Sequence, residues 1–147
     1  MNLNTDERWM REALREAKKA LEKDEVPVGA VIVANDRIIA RGYNFTETLT
    51  DVTAHAEMQA ITSAATFLGG KYLKDCTLYV TLEPCLMCAG ALYWAQITRI
   101  VYGASDPKHG YSLCSAPVLH PSTTVMPGVL EAECAALLSN FFLQKRK

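Results

Sequence analysis

At 147 residues and a net charge of −1, the chain carries enough length for one domain with a real core and no bulk positive charge to attract a nucleic acid. Half of its residues are hydrophobic and 21% are charged, as in an ordinary globular protein, and no apolar run approaches the roughly 20 residues that span a bilayer. Five cysteines, an odd number scattered without an export signal, argue against a disulfide framework and for metal binding or buried thiols.

Residues 1–23 are charged and helix-periodic and lack a secretory apolar segment, which predicts a cytoplasmic protein. Asn4 or Thr5 is placed to cap a first helix, and Asn4 with Glu7 has the spacing of a capping box. Trp9, Met10, Ala13, Leu14, Ala17 and Leu21 then recur at helical spacing, predicting an amphipathic helix of roughly 17 residues that Pro27 stops. Residues 28–34 are small, apolar and β-branched, a buried strand in which Gly29 marks a close approach to the backbone. Asn35-Asp36 suits a two-residue hairpin turn, so residues 37–43 return as an antiparallel partner. Residues 44–53 read as a loop and 54–67 as a second helix closed by Gly69-Gly70.

Residues 77–81 alternate around Leu78 and Val80 as a third strand. Residues 85–95 follow as a helix with Pro84 suited to its first position, where a missing N–H costs nothing. A fourth strand is expected over 97–102 and a long irregular segment over 103–123. A short edge strand over 124–126 and a last helix over 129–145 complete the chain. Strands alternating with helices predict an α/β fold with parallel crossovers and a sheet covered on both faces. One domain, 1–147, suffices.

The chemistry gathers in two short stretches, Thr53-Ala54-His55-Ala56-Glu57 and Glu83-Pro84-Cys85-Leu86-Met87-Cys88. Cys85-x-x-Cys88 alone is compatible with a structural zinc knuckle, a redox pair or two buried thiols. A helix start favours negative charge and so helps to hold both sulfurs as thiolates. Catalytic zinc takes three protein ligands and leaves one position open, whereas a structural site is closed by a fourth. His55, Cys85 and Cys88 supply three. Cys76, Cys114, Cys134, His109 and His120 are isolated, none at ligand spacing from another. Glu57, two residues from His55, is placed to carry protons for a water made acidic by the metal. His-x-Glu followed by Pro-Cys-x-x-Cys is the general signature of zinc deaminases.

On these residues the chain resembles the cytidine/deoxycytidylate deaminase-like superfamily, and within it the bacterial tRNA adenosine deaminases. The resemblance runs over residues 26–142, through Val26-Pro-Val-Gly-Ala-Val31, the two stretches above, and Glu133-Cys-Ala-Ala-Leu-Leu-Ser-Asn-Phe-Phe142. It implies a three-layer α/β/α fold with a five-stranded mixed sheet, one zinc ion per subunit and a homodimer acting on the anticodon loop of a tRNA. It also implies His55, Cys85 and Cys88 as zinc ligands and Glu57 as the proton shuttle. Asn44 matches the amide that reads the purine edge, Val28 and the backbone at Ala56 line the pocket, and Asp106 matches a position near the substrate backbone. Two segments depart from the family pattern: Asp51 is followed by Val52 rather than proline, and His109-Gly110-Tyr111-Ser112-Leu113-Cys114 replaces a Gly/Ala-rich stretch. The tail Lys145-Arg146-Lys147, with Phe141 and Phe142 before it and Lys108 and Arg99 as extensions, offers cations and rings for RNA. A deaminase of a free base or nucleoside, such as guanine or cytosine, is the nearest alternative, with Tyr93-Trp94-Ala95 after the zinc helix a feature shared with guanine-deaminase-like proteins. A non-catalytic zinc-stabilised RNA-binding module is a third reading, which predicts a closed zinc site and no need for Glu57.

Overall fold

The structure, a computed structural model, describes residues 2–146; Lys147, the end of the expected basic tail, lies outside the described residues. Helix α1, Leu3–Glu22, starts earlier than the capping-box spacing suggests, because the Asn2 side chain accepts the Thr5 amide at 2.9 Å and acts as the cap. It is 20 residues long, and its buried stripe runs through Trp9, Met10, Ala13, Leu14 and Ala17; Leu21, expected on it, is exposed in the last turn. Strands β1, Gly29–Ala34, and β2, Arg37–Tyr43, form the expected antiparallel hairpin. Asn35 and Asp36 both take positive φ, the turn whose twist matches that of the strands. The segment expected to be a plain loop contains a one-turn helix α2, Thr46–Leu49.

Helix α3, Ala56–Leu68, is closed by Gly69 in the left-handed conformation. Strand β3, Thr77–Leu82, leads into helix α4, Leu86–Ala95. Cys85 rather than Pro84 opens that helix, so the proline lies one residue outside it and steers the chain from strand to helix. Strand β4, Arg99–Ala104, begins two residues later than expected, after Gln96 takes a left-handed turn. The long segment after it holds a single 3-10 turn at Tyr111–Leu113. Strand β5, Thr124–Met126, forms the exposed edge, and α5, Glu131–Lys145, closes the fold.

The five strands stand in the order β2-β1-β3-β4-β5, antiparallel across β2, β1 and β3 and parallel across β3, β4 and β5. The mixed character follows from the hairpin: β2 and β3 run the same way, but β1 lies between them. Alternation along the strands divides the core in two. Ala30, Ile32, Leu78 and Val80 face α3 and α4, while Val31, Val33 and Tyr79 face α1 and α5. The three-layer arrangement leaves the end of β3 and the starts of α3 and α4 at one edge of the sheet. No helix among the described residues is long and apolar enough to cross a membrane.

Besides the pairing of Arg41 on β2 with Glu12 and Glu16, two features tie α1 to the sheet. A Cβ on Gly29 would overlap the Ala13 carbonyl and the Ala17 amide, so β1 admits α1 at backbone contact only because this residue is glycine. Gly29→Ala is expected to destabilise the fold by about 3 kcal/mol or more, since backbone must move to admit the methyl group; denaturant unfolding measures this. The second tie is Asp6, 1% exposed, which accepts hydrogen bonds from Tyr79 Oη and from both terminal nitrogens of Arg99, each at 2.8 Å. Burial opposes ionisation of Asp6, but the Arg99 and Tyr79 hydrogen bonds outweigh it and hold the carboxyl below its usual 3.8. A carboxyl depressed in the folded state contributes stability that is complete above its unfolded value and lost as pH falls through the lower folded one. Asp6→Asn is therefore expected to cost about 3 kcal/mol at neutral pH and to flatten the loss of stability below pH 3.8, as read by urea midpoints in acid. Arg99, expected to extend the basic patch, is engaged here by the Asp6 carboxylate.

Candidate metal centre and active-site cleft

The start of α3 and the start of α4 meet where β3 ends. His55 is the residue that opens α3 and Cys85 the residue that opens α4, both with extended backbone, so their side chains project past the helix ends rather than along them. Cys88, one turn into α4, comes back to the same point and is fully buried. His55 Nδ1 lies 3.6 Å from Cys85 Sγ and 3.5 Å from Cys88 Sγ, and the three donor atoms all fall within 4.8 Å of one another. Ligands at zinc–sulfur and zinc–nitrogen distances on a tetrahedron sit about 3.5–3.8 Å apart, so this triplet fits a zinc ion without rearrangement. It is the one such group among the described residues, and no fourth protein ligand closes it. That openness fits catalytic rather than structural zinc.

The charges in the triplet suit a cation. Hydrogen bonds from Cys88 and His55 pull the Cys85 thiol down to about 4 against the effect of burial. Cys88 holds the shared proton and is driven far above its usual value, and the hydrogen bond with Cys85 raises His55. A divalent ion would displace that proton and take both sulfurs as thiolates. Glu57, two residues into the same helix turn, is 4% exposed, and its burial lifts the carboxyl to about 7. A carboxyl at that value is poised to accept and return a proton near neutral pH.

His55, Cys85 and Glu57 line a cleft of about 410 Å³, with Cys88 buried behind them, and Val26, Val28, Asn44, Ala56, Leu82 and Asp106 are among its other walls. Val28, Asn44, Ala56 and Asp106 therefore stand where the sequence reading expects substrate contacts. Asn44 is buried, and its backbone N–H donates to the Val28 carbonyl at 3.0 Å. Its loop is held by Glu25, wholly buried, whose carboxylate accepts from the amides of Glu47 and Thr48 at 3.1 and 2.6 Å and from the Thr48 hydroxyl at 2.6 Å. Phe45 offers α2 no side-chain cap, so Glu25 takes that role from 22 residues away. Burial resists ionisation of Glu25, but these hydrogen bonds prevail and keep its carboxyl below the usual 4.5.

Phe142 does not reach this cleft. It lines an adjoining one of about 500 Å³ together with Lys108 and Arg146, and the two clefts share the wall formed by Val26, Leu82, Asp106 and His109. Two members of the expected basic tail are otherwise occupied: Lys145 pairs with Asp24 at 2.6 Å and covers the Phe141 ring, and Phe141 itself is core. Of the remaining cysteines, Cys76 and Cys134 are buried, while Cys114 is exposed on the long segment, contrary to the expectation of a buried or half-buried thiol. His109 was not assigned a role from the sequence. Its one signal there was its place in the segment that departs from the family pattern.

Residues 3–104 match the cytidine and deoxycytidylate deaminase zinc-binding region. A tRNA-specific adenosine deaminase of Bacillus subtilis is 49% identical over 150 residues, covering 99% of this chain and 93% of its own. A solved structure from work on A-to-I editing by tRNA:A34 deaminases at the wobble position superposes with a TM-score of 0.84 at 48% identity, over 89% of this chain and 99% of the other. A guanine deaminase of Bacillus subtilis superposes with a TM-score of 0.65 at 42% identity, over 71% of this chain and 66% of the other.

Proposed function

The chain belongs to the cytidine and deoxycytidylate deaminase family of zinc-dependent hydrolases, and from that premise we propose that it converts adenosine to inosine at the wobble position of a tRNA anticodon loop. The observation that carries the choice of substrate is the pair of joined clefts. A free base needs only the one above Glu57, whereas a strand of nucleotides needs room beside it, with a ring and cations to receive neighbouring bases and phosphates. Phe142, Lys108 and Arg146 supply these in the adjoining cleft.

The residues fit the reaction as follows. His55, Cys85 and Cys88 hold zinc, which when bound supplies the Lewis acidity that makes a water acidic enough to ionise near neutral pH. The target adenosine is splayed out of its loop into the cleft. Asn44, fixed at its backbone and buried, hydrogen-bonds the purine edge and turns C6 towards Glu57. The Glu57 carboxylate takes one proton from the attacking water and delivers it to N1 as oxygen bonds to C6. The same carboxyl then transfers the second proton to the departing amine, so that adenosine and water become inosine and ammonia. Val28 and Leu82 exclude bulk water from the base.

A homodimer is part of the proposal. Helix α4 is apolar on every side, and Leu86, Met87, Tyr93 and Trp94, the last 77% exposed, present large side chains on its outward face. A helix of that character is normally covered. Trp94→Arg is expected to shift the protein from dimer to monomer in sedimentation.

Ammonia release from a wobble-adenosine tRNA, guanine and cytosine, measured in parallel, tests the substrate. Inosine formed in the tRNA alone supports the proposal. Guanine turnover alone overturns it in favour of a base deaminase, and silence on all three points to a binding module.

A further inference from the structure

The buried acid Glu83 has no part in the chemistry above, yet its surroundings are unusual. It is 3% exposed, between the last residue of β3 and the Pro84-Cys85 pair that begins the metal-binding turn. A carboxylate withdrawn from water is costly unless fully hydrogen-bonded, and an apolar residue or glutamine would fill the same space more cheaply. All of its partners come from the segment after β4. Oε1 accepts the Asp106 amide at 3.0 Å, and Oε2 accepts the Ser112 amide at 3.0 Å and the Ser112 hydroxyl at 2.6 Å. Gly110 passes so close that any Cβ there would overlap the carboxyl group.

These contacts lie where the two clefts meet. The Asp106 carboxylate in turn accepts the amides of Lys108 and His109, both at 3.0 Å, closing a tight turn. That turn sets Asp106 and His109 as the wall common to both clefts. The segment is also tethered by main-chain bonds, Glu83 amide to Ala104 carbonyl at 2.8 Å and Tyr111 amide to Pro84 carbonyl at 2.9 Å. Those bonds hold its ends. The carboxylate alone reaches the Asp106 amide and so sets the direction of the turn between them.

We infer that Glu83 is a positioning residue: it transmits the fixed geometry of the metal-binding turn to the Asp106–His109 wall and thereby sets how the nucleotides flanking the target are held. The inference rests on the RNA substrate proposed above for what the wall holds and for its kinetic readout, but not for the role of Glu83 in fixing that wall. It concerns substrate binding, so its loss acts on KM and leaves the metal and the proton transfer in place.

Glu83→Gln replaces one acceptor with a donor that faces an amide, and Ser112→Ala removes one donor from the other side at an exposed position that does not threaten folding. Both are compared with the unchanged protein in zinc per chain, amide exchange over residues 105–114, and KM and kcat on an anticodon hairpin. The expected result for Glu83→Gln is full zinc, faster exchange over that segment, a KM raised about tenfold or more, and kcat within about threefold; Ser112→Ala shifts the same quantities less. Unchanged exchange and KM in both variants overturn the inference. So does a loss of zinc with a fall in kcat at unchanged KM, which would mean that Glu83 supports the ligands instead. If the unchanged protein does not act on the hairpin, the substrate reading fails, while exchange and zinc content still decide the role of Glu83.

Discussion

Glu57→Gln is expected to retain one zinc per chain while turnover falls by about 10³–10⁴-fold, the span that general acid–base catalysis contributes. The substitution keeps the size and shape of a side chain that is almost wholly buried, so neither packing nor the neighbouring His55 should move. What it removes is the capacity to accept a proton. In the proposed reaction that capacity is used twice, once to activate the water and once to discharge ammonia, and Glu57 is the carboxyl group of the cleft in contact with the His55–Cys85–Cys88 triplet. Asp106, Glu83 and His109 also line the cleft, and both of those carboxylates are held by main-chain amides. Zinc content by atomic absorption, with single-turnover inosine formation, checks the prediction. Substantial turnover with full zinc would remove Glu57 from the mechanism.

His55→Ala, Cys85→Ala and Cys88→Ala are expected to lose both metal and activity. Apparent zinc binding energies of about 10–16 kcal/mol spread over four ligands put each at roughly 3–4 kcal/mol, so deleting one weakens binding about 10²–10³-fold. The loss is sharper here because only three protein ligands exist among the described residues. The three variants should differ in stability. Cys88 is wholly buried and its truncation leaves a void, whereas His55 and Cys85 stand half-exposed at helix starts. Competition with a chromophoric chelator reads the affinity, and thermal melting of the metal-free proteins separates metal loss from unfolding. Full zinc occupancy in any one variant would show that its side chain is not a ligand.

Much of the site was legible because its chemistry is local in sequence. His55 and Glu57 are two residues apart, Cys85 and Cys88 three, and each pair lies at a boundary between strand-like or loop-like residues and a helical run. Pro84, suited by type to the first helical position, stands two residues before it, just ahead of the Cys85 cap. A proline is compatible with both positions, and only the path of the chain out of β3 decides between them. The first helix cap was misread for a similar reason: Asn2, Asn4 and Thr5 all have suitable side chains, and the choice depends on which amide is within reach.

The residue types themselves determined the α/β alternation and the grouping of His55, Cys85 and Cys88 with the acid Glu57, since each rests on short-range periodicity or on a spacing of two or three residues. The tertiary structure alone decided how the ends of the strands are furnished. Glu25 caps a helix 22 residues away, Glu83 grips a segment 23 and 29 residues away, and Asp6 engages Arg99 across 93. In the sequence these acids look like solvated charges, because a hydrogen bond between distant residues leaves no period to read. Only the folded chain withdraws them from water, and there a buried carboxylate must find its donors wherever the topology brings them.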